Sequence, residues 1–143
     1  MKSHTGGTMS LGKGSVIDIC RKQKFNTRSS AKAELAGVDD CIGKMIWAKH
    51  FLQHQSYNTS TTLHQDNMSA IKLERNGKRS SSQRTRHLDI KYFYVTDQIE
   101  QGWLTVKHYL TKQMLADLHT KPLHGETFKQ LRARIQTILL TSR

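Results

Sequence analysis

The chain has 143 residues, of which 36% are hydrophobic and 7% aromatic, a composition suited to one domain with a modest core. It carries 23 Lys and Arg against 11 Asp and Glu, for a formal net charge of +12. That excess predicts a polyanionic partner, either nucleic acid or an anionic membrane, although small basic proteins without enzymatic activity also exist. No window approaches the roughly 18 apolar residues of a membrane span, and the polar N-terminus is unlike a signal peptide. We therefore expect no membrane partner.

The two cysteines, Cys20 and Cys41, have no metal-site spacing and suggest no disulfide framework. We interpret both as small buried hydrophobic residues in a reducing, intracellular compartment.

The first predicted elements are a β-hairpin and a long helix. Residues 5–14, which end in a Gly-Lys-Gly turn, and the β-branched run 15–20 are typical of two antiparallel strands. Ser29 and Ser30 can then cap a helix from 31 to about 54. One stripe of that helix is apolar and is expected to face the core: it holds Val38, Cys41, Met45, Ala48 and Leu52, with Leu35, Ile42 and Ile46 beside it.

The second half alternates between strands and helices. We predict a strand over 61–66, a brief helix capped by Asp66 or Asn67, a basic loop over 75–86 and a helix over 87–101. A strand over 103–110, a short helix over 114–120 and a basic helix over about 126–140 complete the chain. Phe128, Leu131, Ile135 and Ile138 are expected to point inward from the last helix. This order predicts a single α/β domain over 1–143 with a mixed sheet.

Three carboxylates stand at positions where chemistry is plausible. Glu34 falls on the stripe of Val38 and Cys41, where a charge is costly unless it is paired, solvated at an edge or bound to metal. Alternatively, Glu34 occurs there because the dipole of the helix favours a negative charge near its N-terminus. Asp66 ends a strand, where ligands commonly bind in open α/β sheets, but it could equally be a helix cap. Asp117 lies on a short helix and could simply be solvated.

Together the three fit one kind of chemistry. Phosphodiester hydrolysis by two divalent ions, about 3.5–4 Å apart, needs a cluster of carboxylates. Mg²⁺ prefers such oxygen ligands, and a basic chain would attract the polyanionic substrate.

Four short motifs carry a resemblance to the ribonuclease H domains of copia-type retrotransposon polyproteins. They are Ser29-Ser30-Ala31-Lys32-Ala33-Glu34-Leu35, Gln65-Asp66-Asn67-Met68-Ser69-Ala70, Arg84-Thr85-Arg86-His87-Leu88-Asp89-Ile90 and Ala116-Asp117-Leu118-His119-Thr120-Lys121-Pro122-Leu123. They occur in the family's order and spacing and cover nearly the whole chain, so they are specific together although each alone is weak.

The resemblance implies a ribonuclease H-like mixed sheet flanked by helices. It further implies that Glu34, Asp66 and Asp117 are catalytic ligands of two Mg²⁺ ions, and that the substrate is the RNA strand of an RNA–DNA hybrid, recognised by shape. An upstream reverse transcriptase domain would be the partner in the polyprotein. The expected location is the cytoplasm, a virus-like particle or the nucleus. Residues expected to contact nucleic acid are Lys78, Arg79, Arg84, Arg86, His87 and Lys121.

The chain also departs from the family pattern. The family's domain opens with a central strand that bears a fourth metal-binding Asp, and nothing like that segment precedes Ser3. We therefore expect a domain that lacks its first strand, with an exposed sheet edge and impaired hydrolysis. Two alternatives stay open: a non-catalytic nucleic-acid-binding remnant of the same fold, and an unrelated basic protein with chance motifs.

Overall fold

The computed structural model describes residues 4–23, 30–76 and 86–136 of the chain. Four strands and five helices follow one another in the order predicted from the sequence. They are β1 (His4–Ser10), β2 (Ser15–Lys22), α1 (Ser30–His54), β3 (Thr62–Gln65), α2 (Met68–Asn76), α3 (Arg86–Glu100), β4 (Thr105–His108), α4 (Asp117–Thr120) and α5 (Gly125–Ile135), with a 3₁₀ turn at Thr111–Gln113. The α/β class is confirmed.

The single mixed sheet predicted from the sequence is not what the described residues form. β1 and β2 pair as an antiparallel hairpin in which Gly7 lies opposite Ile19. β3 and β4 pair in parallel, with Leu63 opposite Val106. Within the described part of the chain these are two separate two-stranded sheets, because no strand joins β1 to β3.

The apolar core lies on the β3–β4 side of the molecule. Leu35 and Ile42, each only 1% exposed, project from α1 toward α2, α3 and the parallel sheet. The remaining buried members of this core are Val38, Ile71, Val95, Leu104 and Val106. The prediction that one apolar face of α1 is directed to the core is therefore confirmed. The most buried residues of that face, however, are Leu35 and Ile42, which were predicted to lie beside the stripe.

The hairpin is held against the rest of the chain by polar contacts and close backbone approach. Gln23 donates hydrogen bonds to the Thr5 hydroxyl (3.2 Å) and to the carbonyl oxygen of Ala33 (2.8 Å). The Thr5 hydroxyl donates to Asp40 at 3.3 Å. A Cβ atom at Gly7 would lie 2.7 Å from the Cys41 sulfur, so glycine allows β1 to approach α1 this closely.

Several finer expectations are wrong. Cys20 is exposed and its thiol donates to the carbonyl oxygen of His119 at 3.1 Å. Cys41 is only half-buried, and burial raises the pKa of its thiol to about 11. Phe128 is exposed because the buried face of α5 runs through Leu131 and Ala133 instead. The helix α5 ends at Ile135, whereas the predicted inward Ile138 and the predicted end near residue 140 lie outside the described residues.

Among the described helices, none combines the length and the apolarity that crossing a membrane requires.

Candidate functional site

A cleft of about 1340 Å³ separates the two sheets, and we refer to it as the inter-sheet cleft. Residues of β1 form one wall, and residues 59–66, which include β3, form the other. The floor is one face of α1 that includes Val38, Met45 and Ala48. One end is closed by residues 114–117 and by Thr120 and Lys121. The cleft therefore touches every element that carries a predicted catalytic carboxylate.

All three of those carboxylates line the cleft. Glu34 comes from the second turn of α1, Asp66 follows the last residue of β3, and Asp117 opens α4. These positions are separated by 32 and 51 residues in the chain, so only the fold brings them to one place. Their predicted role as joint metal ligands is a finer claim than a shared cleft, and it stays a prediction.

The charges of this group act on one another. The pKa of Glu34 is raised, first by burial of its carboxyl and then by the negative charge of Asp66. Asp117 raises it further, while the ammonium group of Lys121 lowers it. Glu34 as a whole residue is exposed, so solvent screens part of these interactions. Glu34 falls in line with Val38 and Cys41 and lies at the solvated edge of that face, which is one of the settings in which a charge is tolerated there.

Lys121 supplies positive charge within the carboxylate group. Its Nζ atom donates to Asp117 Oδ2 at 2.8 Å, and the Asp117 side chain is only 14% exposed. This hydrogen bond, followed by the charges of Asp117, Asp66 and Glu34, raises the pKa of Lys121. The ammonium group of Lys121 neutralises part of the cluster, and its contact with nucleic acid stays a prediction.

The carboxylate oxygens of these residues are of the kind that Mg²⁺ prefers, but the side chains are not spaced to hold one Mg²⁺ ion. Three carboxylates offer the oxygen ligands that Mg²⁺ prefers. However, within residues 4–23, 30–76 and 86–136 no three His, Cys, Asp or Glu side chains stand close enough to hold one cation together. The chemistry of the set therefore fits Mg²⁺, whereas the present positions of the side chains do not form a closed site.

Local structure explains why Asp66 remains free to face the cleft. The N-cap of α2 is Asn67, whose Oδ1 accepts hydrogen bonds from the backbone amides of Ser69 (3.0 Å) and Ala70 (3.2 Å). The alternative interpretation of Asp66 as the helix cap is therefore wrong. Gln65 supports the turn, because its Oε1 accepts from the Asn67 amide at 3.2 Å.

Contacts between α4 and the hairpin position Asp117. His119 Nε2 lies 3.0 Å from the Thr8 hydroxyl and 3.2 Å from Asp18 Oδ1. A Cβ atom at Gly6 would lie 2.8 Å from the carbonyl oxygen of Ala116, so glycine permits this packing. Asp18 thus stabilises the junction of α4 with β2 and does not line the cleft.

The sequence analysis missed Glu74, a fully buried acid on α2. Its pKa is raised to about 7, chiefly by burial, while the Gln65 side chain lowers it and Glu34 raises it. Neither carboxylate oxygen has a hydrogen-bond partner of good geometry among the described residues. Helical spacing could have signalled it, because Glu74 lies three residues after Ile71 and four after Ala70 on the buried face of α2.

Most of the residues predicted to bind nucleic acid cannot be placed. Lys78, Arg79 and Arg84 lie outside the described residues. Arg86 and His87 begin α3, and their side chains also lie outside what the structure describes.

The chain is similar to retrovirus-related Pol polyproteins of plant transposons. The chain is 30% identical over 135 residues to the retrovirus-related Pol polyprotein from transposon RE1 of Arabidopsis thaliana, covering 93% of the chain. It is 30% identical over 138 residues to the corresponding RE2 polyprotein of the same plant, covering 95%. The match to the polyprotein from transposon TNT 1-94 of Nicotiana tabacum is 28% over 129 residues and covers 90%.

The matched part is a small share of these relatives, 9% of RE1 and RE2 and 10% of TNT 1-94. No family model matches the chain. No solved structure matches it either. Over nearly its whole length, the chain is therefore homologous to one segment of retrovirus-related Pol polyproteins from plant transposons.

Proposed function

We propose that the chain is a ribonuclease H-type segment of a retrotransposon polyprotein, which binds RNA–DNA hybrids and hydrolyses their RNA strand with Mg²⁺. The observation that carries the proposal is the position of Glu34, Asp66 and Asp117 around one cleft. The similarity to Pol polyproteins supports the retrotransposon origin.

The residues of the cleft would have different roles. Glu34, Asp66 and Asp117 would hold the metal, which when bound supplies charge stabilisation and an activated water for phosphodiester hydrolysis. Lys121 would exchange its bond to Asp117 for a contact with substrate phosphate, since both are anionic oxygen acceptors for its ammonium group. The net charge of +12 would draw the hybrid to the protein.

A second function is favoured by a different observation. The described side chains do not form a closed cation site, and Lys121 already neutralises Asp117. A segment of this kind could bind nucleic acid through its basic surface without cutting it. Both functions predict the same affinity for a hybrid and differ only in metal-dependent cleavage.

The test measures cleavage and binding of a labelled RNA–DNA hybrid with and without Mg²⁺. We expect Mg²⁺-dependent cutting of the RNA strand that is lost in Asp66→Asn. The matched control is Asp97→Asn, which makes the same change of charge on α3, where Asp97 accepts from Gln101 in the next turn. Cutting that survives in Asp66→Asn would refute the catalytic assignment. Hybrid binding without any cutting would favour the second function.

Salt dependence tests the binding that both functions require. Because phosphate contacts release counterions, the affinity for hybrid should fall by a factor of about 10³ between 50 and 200 mM salt if six or so phosphates are contacted. Binding that does not change with salt would contradict both functions.

A further inference from the structure

The last turns of α1 present a second exposed surface, on a different side of the helix from the carboxylates. Spacings of three, four and three positions place four exposed residues on one helical face, and we refer to them as the aromatic surface: Lys44, Trp47, Phe51 and His54. Trp47 lies 13 residues beyond Glu34, which is about 20 Å along the helix and about 140° around its axis. Lys44 also lines the inter-sheet cleft, whereas the two rings lie outside it.

Two aromatic rings of this surface are stacked on each other and face solvent. The ring centroids of Trp47 and Phe51 are 5.5 Å apart, and the ring planes differ by 12°. Even so, Trp47 is 63% exposed and Phe51 is 51% exposed. The equally exposed Tyr57 follows closely, because its amide donates to the carbonyl oxygen of Leu52 and so holds it beside the last turn of α1. Contiguous exposed apolar groups of this kind are typical of a binding surface.

The helix leaves room next to these rings. Gly43 is exposed and precedes Trp47 by four residues, on the same side of α1. Apart from neighbouring backbone of its own helix, no described atom lies within 4 Å of the position that a Cβ at Gly43 would occupy. Open space beside an exposed ring is what a planar ligand needs in order to stack.

The surroundings of the rings are basic. Residues 41–65 include no Asp or Glu, whereas they contain Lys44, Lys49 and three histidines. Lys49 Nζ donates to the carbonyl oxygen of Trp103 and lies 4.8 Å from the centroid of its ring. The ring of His50 packs edge-on against the same indole, with centroids 5.0 Å apart. A ligand that fits this side of α1 is therefore anionic as well as planar.

These two properties separate the possible classes of partner. The buried centre of a protein–protein interface is depleted in lysine, which does not match the basic surroundings of the rings. A nucleic-acid duplex keeps its bases stacked inside the helix, so their faces cannot reach an exposed ring. Single-stranded nucleic acid offers both free base faces and phosphates, and proteins that bind it combine aromatic rings with basic groups.

We infer that the aromatic surface binds single-stranded nucleic acid, with unpaired bases stacked on Trp47 and Phe51 and the neighbouring phosphates in contact with Lys44 and His54. Because every base has such a face, the site selects unpaired bases and not a sequence. The inference does not rest on the proposed hydrolysis, because the rings lie outside the cleft that the carboxylates line.

The first test follows tryptophan fluorescence of the full chain in EDTA. The chain has two tryptophans, so Trp103→Phe leaves Trp47 as its single indole. The probes are oligothymidine and oligouridine of about twelve nucleotides, within the usual site size of such proteins, and an abasic oligomer with the same phosphates. We expect saturable quenching of Trp47 by base-bearing oligomers and an affinity for the abasic oligomer that is weaker by about tenfold or more. Oligothymidine and oligouridine distinguish DNA from RNA as the source of the bases.

A variant tests the same contact without relying on fluorescence. Trp47→Ala should weaken the binding of labelled oligothymidine, measured by anisotropy, by about fivefold to a hundredfold, the effect of one lost stacking contact. Trp47→Phe keeps a ring and should retain most of the affinity. Tyr94→Ala is the matched control, because it removes an exposed ring from another helix, α3, and it should leave the affinity unchanged. Since most of Trp47 is exposed, its removal should not unfold the chain.

Asp66→Asn distinguishes a failure of this inference from a failure of the proposed function. This variant should bind oligothymidine as tightly as the wild type, whether or not it cuts a hybrid. Three results would overturn the inference: abasic oligomer bound as tightly as oligothymidine, equal losses in Trp47→Ala and Tyr94→Ala, or a dimer in sedimentation that Trp47→Ala converts to a monomer. In the last case the rings would bind a second copy of the chain.

Discussion

The two halves of this molecule are held by different forces. The half built from α1, α2, α3 and the parallel sheet buries a continuous apolar core around Leu35 and Ile42. The hairpin buries mainly Thr5, Ile19 and Gln23, and it is fixed by side-chain hydrogen bonds and glycine contacts. Apolar burial contributes more free energy than a net hydrogen bond, about 1.5–3 kcal/mol for a large side chain against about 1 kcal/mol. The helical half should therefore determine global stability, while the hairpin can open separately.

This contrast matters for the candidate site, because its carboxylates come from both halves. Glu34 and Asp66 stand on elements of the apolar half, whereas Asp117 stands on α4, which contacts the hairpin through His119. The cluster therefore exists only while the two halves remain in place.

The largest effect is expected in the apolar core. Leu35→Ala should lower the free energy of unfolding by about 2–5 kcal/mol, since it leaves a cavity among side chains that cannot fully collapse. Urea denaturation followed by circular dichroism measures this loss. In Ile19→Ala, by contrast, hydrogen exchange should accelerate mainly within the hairpin. Equal global losses in both variants would mean that the two halves form one cooperative unit.

Glu74 should make the apolar half sensitive to pH. Its pKa in the folded protein is about 7, above the ordinary value of 4.5, so the folded state favours the protonated acid. Stability is then fully present below about pH 4.5, falls as pH rises toward 7 and is constant above. The total loss is at most about 3 kcal/mol.

The Glu74→Gln variant checks this directly. Because this variant cannot ionise at position 74, its free energy of unfolding should not decline with pH. Compared with the wild type, it should therefore gain in relative stability between pH 4.5 and pH 8. Urea denaturation at the two pH values provides the comparison. A wild-type protein whose stability is flat or rising across this range, with Glu74→Gln parallel to it, would contradict the account of this residue.

A smaller effect is expected where the hairpin meets α4. In Gly6→Ala the new methyl group would lie 2.5 Å from Thr120 Cγ2 and 2.8 Å from the Ala116 carbonyl oxygen, so α4 must shift. The expected cost is about 1–3 kcal/mol, with faster exchange in β1, β2 and α4 only. Gly43→Ala is the matched control, because nothing lies within 4 Å of its Cβ, and it should stabilise α1 by about 0.5–1 kcal/mol. Equal changes in stability and hydrogen exchange in Gly6→Ala and Gly43→Ala would contradict the close packing of β1 against α4.

The sequence predicted the fold well where a periodic pattern of apolar residues reflects a single helix or strand. The stripe of α1 and the order of the nine strands and helices that the structure describes follow from apolar spacing and turn signals, which are local. The division into two sheets could not be read from the sequence, because strand pairing depends on which edges meet in space. The exposure of Phe128 was missed for the same reason, since it depends on which face a neighbouring element covers. The burial of Glu74, in contrast, could have been predicted from its helical spacing from Ala70 and Ile71.

The candidate site was partly predictable. Glu34, Asp66 and Asp117 were selected from motif spacing and line one cleft in the structure. Spacing alone could not indicate that Asn67, and not Asp66, caps α2. The bond between Lys121 and Asp117 could have been predicted, because an acid four residues before a lysine favours an ion pair on a helix.

The most direct test of the account follows the titration of the Glu34 carboxyl by NMR in the absence of added divalent cations. If the three carboxylates share one cleft, Asp66→Asn should lower the pKa of Glu34 and Lys121→Met should raise it, because each removes a charge that acts on it. Asp97→Asn should leave it unchanged. A pKa of Glu34 that responds to Asp66→Asn no more than to Asp97→Asn would contradict the shared cleft.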